Sequence, residues 1–284
     1  MDQVKRYIFP KRNALRQNPR LRSLYTDENN QYIPNTEFTT GDIVLKINSL
    51  GCIGPEIKSE VPTIAFFGDC QVVGRGDDSW INHLKIDGYQ ILNAAMDGAN
   101  YERVLQKCTF LKKHGVKFDL MVVCLGWPEV LNGHNEEGEW LALLEQLNKE
   151  GRLIMCTPFC SILEECRTRG LIEHSCGRFG LNFGFMSELG GNPSPKVVSN
   201  LLDRFNALSN CIREFCSKNQ IPLIDFNREF QPKSYETITD HFNDPIHFQR
   251  RGYEVAAKYA ASIIHKEIRN QTEQKNIFND NTNG

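Results

Sequence analysis

Read as a pattern of apolar and polar positions, the chain alternates between two periods. Short apolar runs at Thr63–Phe67, Gln90–Ala94, Leu120–Leu125, Leu153–Thr157 and Pro222–Phe226 have the length and continuity of strands buried on both faces. Between them the apolar residues recur at helical spacing. "WINHLKI" follows Asp78-Ser79, a candidate cap; "NYERVLQKCTFLKKHG" closes at Gly115 and "EWLALLEQLNKEG" at Gly151. "SPKVVSNLLDRFNALSNCIREFCSKNQ" predicts a long amphipathic helix from Ser194-Pro195, and "RRGYEVAAKYAASIIHKEI" a closing one. "DIVLKINSLGCIGPEI", from Asp42 to Ile57, reads as a strand, a glycine-rich turn and a short extension. Strand–helix alternation of this kind predicts an α/β protein, a three-layer α/β/α sandwich with a central parallel sheet.

The alternation also sets the domain plan. Residues 34–269 form one α/β domain, with no internal repeat and no clear linker. Residues 160–194, rich in Gly, Cys and Phe, break the rhythm and read as an insertion expected to cover a site at the sheet edge. Residues 1–33 form a basic N-terminal arm carrying Lys5, Arg6, Lys11, Arg12, Arg16, Arg20 and Arg22; a solvated arm is the simple reading, contact with an acidic partner the other. Residues 270–284 are polar and are expected to be a disordered tail.

Composition narrows the function classes. A formal net charge of -2 gives no global footprint for nucleic acid. No apolar stretch has the length of a membrane span, and the N-terminus lacks the apolar segment of a secretory signal, so a cytoplasmic location is expected. The ten cysteines are then expected to be free thiols of a reducing compartment. A zinc site on Cys156, Cys160, Cys166 and Cys176 is the weaker reading, because the spacing is irregular and no CxxC pair exists.

Ligands of an open α/β sheet bind beyond the carboxyl ends of its strands. Those ends carry Gly68-Asp69-Cys70, then "NAAMDGAN" with Gly98 and Asn100, then Gly126-Trp127-Pro128-Glu129, and late in the chain "NDPIHFQRRGY" with Asp244 and His247. Together these supply a thiol, an imidazole, a carboxylate and a glycine. A cysteine needs a base to act as a thiolate near neutral pH, and His247 is the candidate. Asp244, three residues earlier and about one turn away, is the candidate to orient that imidazole, with Pro245 stiffening the segment. Gly98 can bring a backbone N–H close to an oxyanion, having no side chain in the way. Each piece alone is ordinary: a thiol after a strand is usually a small buried apolar group, and Asp-x-x-His pairs occur by chance.

The order and spacing of the blocks are more specific, and in them the sequence resembles the SGNH (GDSL-type) hydrolases. Cys70 takes the position of that family's nucleophile serine, Gly98 that of its second-block oxyanion glycine, and Asp244 and His247 that of its closing Asp-x-x-His. "INSLGCIGPE" is similar to the segment that precedes the first block in many bacterial members. The resemblance covers roughly residues 34–266 apart from the insertion. It implies a flavodoxin-like SGNH fold and acyl transfer from an ester or thioester through a Cys70–His247–Asp244 triad. The backbone N–H groups of Cys70 and Gly98 would form the oxyanion hole, and Asp69, Asn100, Trp127 and Asn132 are candidates to line the substrate pocket. The implied partner is a small-molecule, glycan or carrier-bound acyl substrate, with no metal or organic cofactor. Two departures stand against it. The nucleophile is Cys, and the third block, ordinarily Gly-x-Asn-Asp, has Pro128 where the oxyanion Asn is expected. The retained Asp244–His247 pair favours a working enzyme; the missing Asn favours a catalytically inactive binding module on the same fold.

Overall fold

In a computed structural model of the chain, the described residues are 32–40, 43–74, 78–96, 98–132, 137–162, 164, 166–169, 194–231, 240–244 and 246–282. An antiparallel hairpin of β1 (Glu37–Thr40) and β2 (Ile43–Lys46) leads in. Isolated bridges from Ile47 to Ile53 and from Ile53 to Asn93 then lay the next segment along a sheet edge. The sheet comprises β3 (Thr63–Gly68), β4 (Gln90–Asn93), β5 (Leu120–Cys124), β6 (Leu153–Cys156) and β7 (Leu223–Ile224). Their order is β4-β3-β5-β6-β7, each neighbouring pair parallel.

Every residue of β3 and β5 is buried. Covering a Val, Ile or Phe side chain contributes about 1.5–3 kcal/mol, so these two central strands anchor the core. The connection runs from β3 outward to β4 and then back across to β5, so the strand order reverses between β3 and β5. Outside the carboxyl ends at such a reversal lies the crevice in which sheets of this kind bind ligands.

The helices follow from local signals. The one-turn α1 (Cys70–Val73) starts directly after β3. In α2 (Tyr101–Lys113), Asn100 caps the N-terminus by accepting from the Arg103 N–H at 3.0 Å. Next come α3 (Trp127–Asn132), α4 (Glu137–Lys149) and the single turn α5 (Cys166–Arg169). The amphipathic α6 (Pro195–Asn219) has Ser194 as its cap and proline in its first turn, and it ends at Gln220 with a left-handed backbone. It packs on α3, α4 and α5. After α7 (Phe226–Glu229), a hairpin of β8 (Phe242–Asp244) and β9 (His247–Phe248) precedes α8 (Arg250–Thr282). Helix α8 packs on β7, β9 and the Trp80–His83 turn. The result is a parallel sheet flanked by helices, the sandwich expected from the alternation.

Several elements differ from the sequence pattern. "WINHLKI" folds as one 3-10 turn, Trp80–His83, because Trp80 is sealed edge-on between Phe66 and Phe226 and the chain turns extended at Leu84. The last strand shortens to two residues, since Pro222 has no N–H to donate and Asp225 already caps α7. Helix α8 continues to Thr282, through residues expected to be disordered: no Pro or Gly follows Gly252 before that point, and extending a packed helix costs far less than starting one. Most of the basic arm 1–33 and of the insertion 160–194 lies outside the described residues. Among the described residues no helix is long and apolar enough to cross a membrane, and the eight cysteines whose side chains are described are free thiols.

Candidate active site

The carboxyl end of β3 turns sharply, and Gly68 is what permits it. A Cβ there would lie 2.2 Å from the Val72 Cγ2 and 2.3 Å from the Cys124 carbonyl oxygen, so α1 folds back against its own strand only over a glycine. Asp69 comes next and is fully buried. Its Oδ1 accepts from the Gln71 N–H at 2.9 Å, capping α1, and its Oδ2 accepts from the Trp127 N–H at 3.2 Å. Asp69 therefore braces the end of β3 against the start of α3. Cys70, the first residue of α1, is 8% exposed.

Gly98 is exposed in the turn before α2 with φ +70°. A Cβ there would meet nothing within 4 Å, so it is the left-handed backbone, and not crowding by the chain, that favours glycine. Asn100 carries the cap of α2, which engages its side-chain oxygen. Trp127 is 1% exposed, stacks on Phe205 at 5.4 Å, and donates its indole N–H to the Phe159 carbonyl at 3.0 Å. Its ring belongs to the core and its donor is in use. Asn132 ends α3, and its side chain lies outside the described residues.

His247 and Asp244 sit on the β8–β9 hairpin, where strand pairing sets them opposite each other. This is a tighter relation than the helical turn expected from their spacing. Strand pairing of this kind brings facing Cα atoms to about 4.5–5.5 Å. His247 is 2% exposed; the side chain of Asp244 lies outside the described residues. Phe248 stacks on Phe159, centroids 3.9 Å apart and planes at 15°, holding the hairpin against the segment that follows β6.

One side chain joins these parts, and no motif marks it. The Gln71 carboxamide is 1% exposed, and among the described residues its hydrogen bonds go to backbone atoms. Its Nε2 donates to the Phe159 carbonyl at 2.6 Å and to the Ile246 carbonyl at 3.0 Å, while its Oε1 accepts from the Phe159 N–H at 3.2 Å. The residue after Cys70 thus holds the residue before His247, 175 positions away in sequence. The sole sequence signal for this was a polar residue beside Cys70 in an otherwise apolar turn.

No family model matches the chain, and no curated protein does. Solved structures match in fold. A lipase/acylhydrolase from Enterococcus faecalis aligns with a TM-score of 0.50 at 17% identity, over 72% of this chain and 96% of that one. The chain has the SGNH-hydrolase fold. A member of the lipolytic protein G-D-S-L family from Veillonella parvula aligns with a TM-score of 0.49 at 14% identity, over 71% of this chain and 97% of that one.

On this SGNH-hydrolase fold the third block does structural work. Pro128 stands in the first turn of α3, with no amide to donate. Glu129 is 5% exposed and its Oε1 accepts from the Tyr101 N–H at 2.8 Å, tying α3 to the start of α2 just after Gly98. Burial, and then the charge of Glu129, push the Tyr101 phenol well above its ordinary range. Below the crevice, Cys124 and Cys156 face each other across β5 and β6. The hydrogen bond between these thiols, then burial, raise Cys124 well above the usual thiol range, with Asp69 and Cys70 adding to the rise. Burial also pushes Cys52 and Cys108 up to about 11 and Cys216 up to about 12. Among the described residues no cluster of His, Cys, Asp and Glu is arranged to hold a metal ion.

Proposed function

We propose that this chain is an acyl-transfer enzyme of the SGNH type, a hydrolase or acyltransferase that works on an ester or thioester through Cys70, His247 and Asp244. The observation that carries this reading is the Gln71–Ile246 hydrogen bond, which ties the thiol-bearing turn to the imidazole-bearing hairpin at the crevice end of the sheet. The similarity in fold to the lipase/acylhydrolase from Enterococcus faecalis supports it.

In the proposed reaction His247 takes the Cys70 proton, and the thiolate Sγ attacks the acyl carbonyl carbon. The carbonyl oxygen becomes an oxyanion facing the backbone N–H groups of Cys70 and Gly98. As the C–O or C–S bond to the leaving group breaks, the imidazolium returns the proton to that group and an acyl-thioester remains on Cys70. His247 then deprotonates water or another acceptor, which attacks the thioester and frees Cys70. Asp244, opposite His247 in the hairpin, would orient the ring.

Pro128 favours a second reading, the inactive binding module. Loss of one oxyanion donor costs about 2.7–4 kcal/mol of transition-state stabilisation. The Trp127 indole does not replace it, being bonded to Phe159. A thiolate, however, is a stronger nucleophile than a serine hydroxyl and needs less help from that donor.

Pre-steady-state hydrolysis of p-nitrophenyl acetate separates the two. The enzyme reading expects a burst of p-nitrophenolate equal to the protein concentration, absent in Cys70→Ala and slowed roughly 10²- to 10⁴-fold in His247→Ala. No burst, with slow release unchanged in both variants, supports the inactive module.

A further inference from the structure

Gln71 is buried, lies outside the proposed triad, and has a bonding pattern that only a carboxamide supplies. Its two donors reach carbonyl oxygens on two separate segments, Phe159 after β6 and Ile246 before His247, and its acceptor takes the Phe159 N–H. The same Phe159 carbonyl accepts from the Trp127 indole, and the Phe159 ring stacks on Phe248, the residue after His247. His247 is thus flanked by two attachments. One is aromatic, through Phe248. The other is polar, through Ile246, and leads directly to the residue beside Cys70.

We infer that Gln71 is a positioning residue that sets the approach of His247 to Cys70. The inference rests on the proposed Cys70–His247 reaction. The chemistry explains why Gln stands there. A glutamate keeps the size but turns a carboxylate toward two carbonyl oxygens. A leucine fills the space and leaves the Phe159 N–H and both carbonyls without this partner. An asparagine is one methylene too short to bridge both segments. In each case Ile246, and with it His247, loses its tether to the turn that carries the thiol. A general base displaced by about 1 Å loses roughly a hundredfold in rate.

The test compares wild type, Gln71→Glu, Gln71→Leu, His247→Ala and Gln71→Glu/His247→Ala. For each, the rate of Cys70 acylation by p-nitrophenyl acetate is followed by intact mass from pH 6 to 10, beside thermal unfolding. The inference expects both Gln71 variants to acylate roughly 10- to 100-fold more slowly near neutral pH. Their pH profiles should move toward that of His247→Ala, converging with wild type at high pH where the thiol ionises unaided. In the His247→Ala background the Gln71 substitution should have no further effect. A lowered unfolding temperature with a wild-type rate and pH profile would overturn the inference, leaving Gln71 a structural residue. So would an equal loss of rate with His247 absent, and so would failure of both variants to fold. Acylation that persists unchanged in a Cys70→Ala control would instead sink the underlying reaction, a separate outcome visible in the same spectra.

Discussion

At the residue scale, the site is built from side chains and backbone atoms engaged with one another. Asp69 braces the end of β3 against the start of α3, Glu129 ties α3 to the start of α2, and Gln71 ties the thiol turn to the histidine hairpin. Gly68 is the most sharply constrained position. Gly68→Ala sets a methyl group against the Cys124 carbonyl, whose strand has no freedom to shift, and is expected to destabilise by about 1–3 kcal/mol. Urea denaturation with an unchanged m value checks this; an unaltered midpoint contradicts the close approach. Pro128 offers the opposite experiment. Pro128→Asn restores a side-chain donor in the first turn of α3 and is expected to speed Cys70 acylation at least tenfold, within the 10²–10³ that one such donor contributes. An unchanged rate would mean that the oxyanion is held elsewhere. Cys70, His247, Asp244 and Gly98 were legible as candidates because short motifs fix their residue types. Gln71 and Glu129 were not, because their bonds reach partners 175 and 28 positions away.

At the element scale, the buried strands read well from sequence and the short elements did not. Runs such as Leu120–Leu125 and Leu153–Thr157 match β5 and β6 within a residue, because strands covered on both faces must be continuously apolar. The β8–β9 hairpin stayed hidden. Its five strand residues show no alternation, and what holds it is packing against Phe159 from a distant segment. The carboxyl end of the sheet has its own electrostatic clasp. Asp225 follows β7 and receives Arg213 Nε at 2.8 Å, Arg213 Nη2 at 2.9 Å and the Thr157 hydroxyl at 3.0 Å. Burial alone would raise its carboxyl, but the bonds from Arg213 and Thr157 and the Arg213 charge outweigh it, so the group sits below its ordinary value. The sign follows: Asp225 stabilises the fold at pH above the carboxyl's unfolded value, and that contribution fades as pH falls through the lower folded one. Arg213→Ala is expected to cost about 1–3 kcal/mol at pH 7 and less at acid pH. Denaturation curves measured across pH 3 to 7 test it; a loss that is constant over that range contradicts the clasp.

At the scale of the whole molecule, the fold sorts its thiols. Cys52, Cys108, Cys124 and Cys216 are sealed in the core and raised by burial or by a neighbouring thiol. Cys70 alone among the described cysteines begins a helix at the crevice end of β3, and 8% of its surface is open. Iodoacetamide on the native protein is expected to modify Cys70 before those four, as mapped by peptide mass; equal labelling of all five would mean that burial does not discriminate among them. The sandwich was readable from strand–helix alternation, whereas the crevice depends on strand order, which periodicity alone does not fix. Whether Cys70 and His247 work as a pair can be read from the intact mass after brief exposure to p-nitrophenyl acetate. A single acetyl adduct is expected that maps to Cys70, vanishes in Cys70→Ala and forms far more slowly in His247→Ala. Adducts scattered over several cysteines, and indifferent to both substitutions, would contradict it.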